Sequence, residues 1–220
     1  MRRASLWRVL TDPLVRANPI TLQTLGICSA LAVTTTLPTA LTMSAALTAV
    51  LVMAATIISL IRRHIPSTIR LIVQIIVVAS LVAVIDQMLQ AWLYDISQRL
   101  SVFVSLIATN CVVLGRTESF ALRNPPLSSA VDALGNGLGY SIVLVAIGSL
   151  RELFGSGTLM GWQILPTVDQ GGWFTPLNLM LLAPSGFFLL AGLVWTLRSI
   201  HPEQVEPTQF AAPMPGEPPR

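Results

Sequence analysis

Cys28 and Cys111 are the only cysteines in the 220-residue chain, and each lies in a short apolar stretch. At a rise of 1.5 Å per residue, Cys28 lies about 12 Å and Cys111 about 16 Å into its segment. Because the hydrocarbon core of a bilayer is about 30 Å thick, both thiols would lie near its midplane. A thiolate is costly there unless a metal binds it, and an iron–sulfur site needs four protein ligands. The pair therefore predicts half of a metal site, with a partner supplying the other half.

The residues alone leave three interpretations of the cysteine pair open. Isolated buried cysteines are most often small hydrophobic residues that pack without doing chemistry. A disulfide would join the two halves of the chain, although a cytoplasmic membrane offers no obvious oxidant. As thiolates the pair would bind iron or copper, but His64 and His201 lie in flanking segments and not beside it. Threonines at 34–36, together with Thr109 and Asn110, are candidates to cap the broken helices and to hydrogen-bond the sulfurs.

The composition is that of a polytopic membrane protein. Hydrophobic residues make up 53% of the chain and charged residues only 10%, against about 25% charged residues in a soluble domain. The mean hydropathy is +0.72. The net charge of +3 is small and the basic residues form short clusters, which argues against nucleic-acid binding. Charges and prolines near the start replace the apolar run of a cleavable signal peptide, so we expect the first hydrophobic helix to drive insertion.

Hydrophobic segments divide the chain into three parts. We predict a cytoplasmic N-terminal arm at 1–19, a six-helix transmembrane domain at 20–200, and a proline-rich, disordered tail at 201–220. Pro184 lies inside the last predicted helix and indicates a kink there. The predicted helices cover residues 20–37, 39–61, 69–94, 100–115, 134–153 and 177–197.

The six helices predict an all-α fold built as a 3+3 inverted repeat. Because three is odd, the halves on either side of residue 100 would enter the membrane from opposite faces. The first and fourth helices are short and broken, each holds one cysteine, and paired short segments of this kind typically mark a binding site at the repeat interface. Basic residues lie in alternate loops and at both chain ends, so we expect both termini in the cytoplasm.

Asp86 lies well inside a predicted span. A carboxylate within a membrane helix is by default a candidate for an ion pathway. Its position in the last third of the helix equally allows an acid near the outer interface that faces water. Both interpretations of Asp86 stay open.

The sequence around both cysteines resembles a known family. The chain reads LGICSALAVT around Cys28 and TNCVVLGRTE around Cys111. These motifs are similar to those of the D subunit of the sodium-translocating NADH:quinone reductases of bacterial inner membranes. The second motif also occurs in the homologous component of Rnf electron-transport complexes, which is the alternative within the family. Further matching runs lie at 18–20, 59–67, 84–87, 93–97, 100–104, 135–140, 151–153, 171–173 and 182–185.

The resemblance implies one component of a multi-subunit translocase, inactive alone. In that family, the D subunit pairs with a paralogous E subunit of opposite orientation, and each gives two cysteines to one intramembrane iron–sulfur site. Cys28 and Cys111 match those ligand positions, for a two-iron (2Fe-2S) cluster, although a single iron takes the same four thiolates. The site would relay electrons to ubiquinone while sodium is exported. The resemblance implies that NADH, flavins and ubiquinone bind to the other components of the complex, the A, B, C and F subunits.

The run GNGLG at 135–139 opens a membrane helix rather than following a strand, so we assign it to helix packing and not to nucleotide binding. Two other classes of protein remain alternatives. An inverted-repeat secondary transporter would transport as an isolated chain and tolerate Cys28→Ser and Cys111→Ser. A structural membrane protein with inert thiols would hold no iron and would assemble normally without them.

Overall fold

The computed structural model describes residues 9–11, 13, 18–20, 23, 25–92, 106–160, 162–163, 177, 180 and 182–200. The helices within this part of the chain are α1 (Ile27–Val33), α2 (Leu37–Ile61), α3 (Arg70–Trp92), α4 (Cys111–Arg116), α5 (Pro126–Ser156) and α6 (Ala183–Ile200). A 3₁₀ turn at Ser67–Ile69 precedes α3, and a π-helical turn at Thr117–Ala121 continues α4. The two-residue strands β1 (Thr158–Leu159) and β2 (Trp162–Gln163) pair antiparallel after α5.

Among the described helices, three are long and apolar enough to cross a bilayer: α2, α5 and the Arg70–Met88 part of α3. The prediction of a helical membrane protein is thereby confirmed. The six spans, and their arrangement as two inverted repeats, remain a prediction.

The centre of the fold is the antiparallel pair of α2 and α5. Near one end of the pair, the Leu37 amide donates a hydrogen bond to the Glu152 carboxylate over 2.6 Å. At half length, the Thr48 and Ser141 hydroxyl oxygens lie 3.5 Å apart. Apolar side chains fill the contact, among them Leu47, Val50, Leu51, Ala54 and Ile58 of α2 and Ala133, Val143, Leu144 and Ile147 of α5. The burial of these apolar faces stabilises the packing of α2 against α5 in the core.

Glycines on α5 allow other backbone to approach it closely. A Cβ atom on Gly137 would lie 2.7 Å from the Thr48 side chain of α2, and one on Gly135 would lie 2.7 Å from the Leu10 carbonyl oxygen. Real Cβ atoms do not come so near, so both positions need glycine. The GNGLG run therefore serves packing, as predicted, and both α2 and the segment before α1 pack against it. It lies inside α5 rather than opening a helix, because α5 begins at Pro126.

Local backbone chemistry makes α1 short. Gly26 precedes it in the left-handed region, with φ of 76°, where only glycine is unstrained. Thr36 has extended dihedrals, with φ of −137° and ψ of 144°, and interrupts the helical path. Pro38 is the second residue of α2, a position whose missing N–H costs no intrahelical hydrogen bond, so the proline favours a new helix start.

The fourth helix is shortened in a similar way. Asn110 caps α4, because its side-chain oxygen accepts a hydrogen bond from the Val112 amide over 2.9 Å. The π-helical turn then ends the segment, and Pro126 is the first residue of α5. A proline thus restarts the long helix that follows each short one.

Several boundaries differ from the predicted ones. The first helix begins at Ile27 rather than near residue 20, because the Asn18 side chain binds the Ile20 amide and the Gly139 carbonyl and holds a turn there. Pro184 is the second residue of α6 and so starts that helix instead of kinking it. The predicted range 100–105 of the fourth helix, and the tail at 201–220, lie outside the described residues.

Candidate functional site

The two cysteines lie on neighbouring first turns of the short helices. Cys28 is the second residue of α1 and Cys111 is the first residue of α4. A Cβ placed on Gly26 would lie 2.9 Å from Val112 and 3.5 Å from the Asn110 side-chain oxygen, so the two helix starts are in contact. Both thiols are exposed on the surface of the single chain and neither forms a disulfide. The structure therefore brings together the two residues that the sequence singled out.

The contact between the short helices occurs at half the length of α5. Ser29 of α1 hydrogen-bonds Tyr140, which lies near the middle of that helix. From there α1 runs toward the end of α5, where its Thr34 hydroxyl meets Arg151. The fourth helix runs the other way, because Arg116 at its end pairs with Asp132 near the start of α5. The two thiols thus lie where two short helices of opposite direction begin.

A buried polar cluster, which we call the central network, joins these helix starts to α5. The Ser29 hydroxyl oxygen lies 2.7 Å from the Tyr140 hydroxyl and accepts a hydrogen bond from the Asn110 amide nitrogen over 2.8 Å. The Ser29 hydroxyl also donates to the Gly26 carbonyl over 2.9 Å. With that proton used, the Tyr140 hydroxyl is the donor toward Ser29. All three side chains are buried.

The polar residues expected beside the sulfurs have other partners. The Thr34 hydroxyl accepts a hydrogen bond from Arg151 over 2.8 Å, so it belongs to the far end of α1. Asn110 divides its side chain between the Val112 amide and the Ser29 hydroxyl. Asn110 thus caps a broken helix, as the sequence predicted, but its other described hydrogen bond goes to the Ser29 hydroxyl rather than to a sulfur.

The described residues offer a metal two ligands rather than a full set. They contain no group of three or more histidine, cysteine or acidic side chains that would hold an ion. Two exposed thiols on adjacent turns fit half of a four-thiolate iron site, and their exposure leaves them open to a second chain. The donor chemistry of the described residues thus fits half of such a set.

Asp86 is not connected to the cysteines through its hydrogen bond. Its Oδ2 atom accepts a hydrogen bond from Gln90 over 2.8 Å, within α3. Its Oδ1 atom is buried and has no hydrogen-bond partner among the described residues. The candidate for an ion pathway thus lies apart from the central network.

Sequence reasoning missed the burial of Arg151, which lies near the end of α5. The Arg151 side chain is fully buried and donates hydrogen bonds of 3.1 Å to the Leu31 and Leu182 carbonyls and of 3.2 Å to the Met180 carbonyl. The adjacent Glu152 carboxylate accepts a hydrogen bond from the Leu37 amide. A charged pair at the end of an apolar helix was the available signal, and it is equally typical of a membrane interface.

Arg116, at the end of α4, forms an ion pair with Asp132 of α5. The Arg116 guanidinium donates to both carboxylate oxygens, with its Nε atom 3.1 Å from Oδ2. This ion pair fixes the end of α4 on α5, at the opposite end from Arg151.

Comparison with known proteins decides the family. The sequence model of the Rnf-Nqr subunits, which are membrane proteins, matches residues 6–194. The chain belongs to the Rnf-Nqr family. It is 55% identical to the D subunit of the Na(+)-translocating NADH-quinone reductase of Shewanella loihica over 201 residues, which cover 91% of this chain and 96% of the relative. It is 57% identical to the D subunit of Shewanella putrefaciens over the same shares of both chains.

The match to the Rnf-Nqr family covers both cysteine-bearing helices, the central network, and Arg151 with its contacts to α1. The resemblance read from the motifs around Cys28 and Cys111 is therefore confirmed. The relatives carry the name of one component of a sodium-translocating NADH–quinone reductase, which is a multi-subunit oxidoreductase.

Proposed function

We propose that this chain is the D subunit of a sodium-translocating NADH:quinone reductase in a bacterial inner membrane. Its role is to supply Cys28 and Cys111 as half of the ligands of an intramembrane iron–sulfur site. The observation that carries this proposal is that the two exposed cysteines lie on helix starts that contact each other at half the length of α5. A single chain that presents two thiols to its surface needs a second chain to complete four ligands.

The order and direction of the helices support an inverted repeat as the frame of this site. Each half has a short helix followed by a long one, namely α1 with α2 and α4 with α5. The long helices are antiparallel to one another, and the short helices run in opposite directions from the central network. Two halves related in this way would cross the membrane in opposite senses, as three spans each require. Six spans would put both chain ends on one side of the membrane, and the basic residues at both ends and in alternate loops favour the cytoplasmic side.

The chain's own residues hold, orient and shield the site. An iron–sulfur group, when bound by thiolates, takes up and gives back one electron. Cys28 and Cys111 provide the thiolates, and the central network fixes the two turns that carry them. The apolar helices around these turns exclude water and lower the local dielectric, which strengthens every charge interaction there.

The partner that would complete the site is the paralogous E subunit, inserted in the opposite orientation. The remaining A, B, C and F subunits would bind NADH, the flavins and ubiquinone, and this chain alone would not be active. The names of the relatives support membership in such a complex. Asp86 is proposed as a residue of the sodium pathway, supported by its buried Oδ1 atom without a described partner.

The test is to measure iron and acid-labile sulfide in the purified complex, with Cys28→Ser and Cys111→Ser variants beside the unchanged protein. We expect both variants to lose the iron and to stop electron flow from NADH to quinone after the first flavin. Sulfide in equal amount to iron would identify a two-iron cluster, and iron without sulfide a single iron. Full iron content and turnover in both variants would contradict the proposal and favour a transporter or a structural protein.

A further inference from the structure

The central network connects the two cysteine-bearing turns through residues that directly neighbour the cysteines in sequence. Ser29 follows Cys28, and Asn110 precedes Cys111. The bond from the Asn110 amide nitrogen to the Ser29 hydroxyl is therefore a side-chain link between the two turns. Any change in its length moves the backbone that carries both thiols.

Each member of the central network is used on more than one side. Asn110 caps α4 with its oxygen and reaches α1 with its nitrogen. The Ser29 oxygen accepts from Asn110 and Tyr140 while its proton goes to the Gly26 carbonyl. Tyr140 is fully buried and comes from α5, so the network is anchored to the longest helix of the fold. Directed bonds on every side leave the two turns little freedom to shift.

The short helices depend on such links. The first helix has seven residues and α4 has six, and helices of that length do not hold themselves in place without tertiary contacts. At their far ends Arg151 and Arg116 tie them to opposite ends of α5. Between these two anchors, the central network is the contact that acts at the thiols.

We propose that Ser29, Asn110 and Tyr140 set the relative position of the Cys28 and Cys111 thiols, with Tyr140 as the positioning residue that fixes both turns to α5. The inference rests on the proposed function, because it assigns these three residues to the support of the proposed iron site. The network would organise this half of the site before the partner's ligands complete it. Support of this kind around metal ligands typically governs how tightly and in what geometry the metal is held.

The chain offers a matched control for Ser29. Ser29 and Ser44 are both buried, and each hydroxyl donates to the carbonyl three residues earlier, Gly26 and Leu41 respectively. Ser29 belongs to the central network and Ser44 lies on α2. Ser29→Ala and Ser44→Ala therefore remove the same local hydrogen bond, and only the first removes the link between α1, α4 and α5.

Two further variants divide the network. Tyr140→Phe removes the hydroxyl donor and keeps the ring, so Ser29 retains its bond to Asn110. Asn110→Ser keeps a good cap for α4, because serine caps helices as well as asparagine does, but its short side chain does not reach Ser29. All variants are prepared as the complete complex, with the thermal stability of each recorded.

The readouts are the Mössbauer spectrum of the bound iron and the rate at which a chelator removes it. We expect Ser29→Ala and Asn110→Ser to change the spectrum and to speed iron loss about tenfold. Tyr140→Phe should show the same changes more weakly, and Ser44→Ala should match the unchanged protein. Should Tyr140→Phe assemble poorly, the comparison of the two serine variants decides the matter alone.

Unchanged spectra and chelation rates in all network variants would overturn the inference and leave the proposed function intact. Iron that persists in Cys28→Ser and Cys111→Ser would overturn the proposed function itself. The network variants therefore test the inference, and the two cysteine variants test the proposed function.

Discussion

The two short helices meet at their starts but are anchored differently at their far ends. At the end of α1, Arg151 is fully buried and donates to backbone carbonyls, among them that of Leu31. At the end of α4, Arg116 pairs with the carboxylate of Asp132, and their side chains retain 18% and 5% of their exposure. The two halves have a similar helix order, but their short helices are anchored differently. A guanidinium bound to carbonyls anchors α1, and an ion pair anchors α4.

This difference indicates that the two ends respond differently to change. Removing one member of a buried ion pair leaves the other charge unpaired, which is destabilising. Neutralising both members together avoids that unpaired charge. Main-chain carbonyls are present in every variant, so no second substitution can compensate for the hydrogen bonds that are lost with Arg151. The end of α1 should therefore be the more fixed of the two, and the end of α4 the more adjustable.

The largest effect is expected for Arg151→Ala. The change removes the Arg151 donors from the carbonyls of Leu31, Met180 and Leu182, although the Ser185 hydroxyl still donates to the last two. Because hydrogen bonds from a charged donor contribute about 1.5–3 kcal/mol and truncation of a fully buried side chain leaves a cavity, we expect a loss of about 3–5 kcal/mol of stability. The measurement is the thermal stability and yield of the purified complex.

Arg116→Ala is the matched comparison at the other end. It should destabilise by about 2 kcal/mol, and adding Asp132→Asn should recover most of that loss, because the unpaired carboxylate is then neutral. Equal losses for Arg151→Ala and Arg116→Ala, with no recovery in the double variant, would contradict the distinction between the two ends.

A second prediction concerns the starts of the short helices, where Gly26 precedes α1 and Asn110 caps α4. Gly26→Ala forces a side chain into the left-handed region and places a Cβ 2.9 Å from both Tyr140 and Val112. We expect a loss of about 2–3 kcal/mol from strain and overpacking. Thermal stability of the complex is again the measure.

Gly192→Ala in α6 serves as the control, because nothing lies within 4 Å of a Cβ at that position. A helical glycine replaced by alanine without a clash should be neutral or gain about 0.5–1 kcal/mol. If Gly26→Ala behaved like Gly192→Ala, the close contact between the starts of α1 and α4 would be wrong.

The sequence predicted the elements of this fold better than the contacts between them. Apolar length was enough to place α2 and α3 within a few residues, since a long hydrophobic run has few alternatives to a membrane helix. The motif around each cysteine located the site. Tyr140 was missed because its hydroxyl pairs with a serine far away in sequence, and no local periodicity records such a pair.

The boundaries that differed did so for local reasons. Pro184 was expected to kink a helix, but a proline is equally suited to start one, and the residues before it decide which. The burial of Arg151 was missed, because a sequence shows the charge and not the carbonyls that surround it. The metal site itself could be predicted only as a half, because the other ligands belong to another chain.

The smallest expected effect separates the charge of Glu152 from its hydrogen bond. The carboxylate accepts the Leu37 amide over 2.6 Å at the start of α2, next to the end of α1. Glu152→Gln keeps an oxygen acceptor and loses the negative charge that favours a helix N-terminus, so we expect a loss of about 0.5–1 kcal/mol. Glu152→Ala removes the acceptor as well and should cost about 2 kcal/mol.

The counterpart at the other end of α2 is Ser59, whose uncharged hydroxyl donates a hydrogen bond to the Asn124 carbonyl over 2.6 Å. Ser59→Ala removes a neutral hydrogen bond and should cost about 0.5–1.5 kcal/mol. A Glu152→Gln loss as large as that of Glu152→Ala would show that charge, rather than the hydrogen bond, holds the start of α2 against α5.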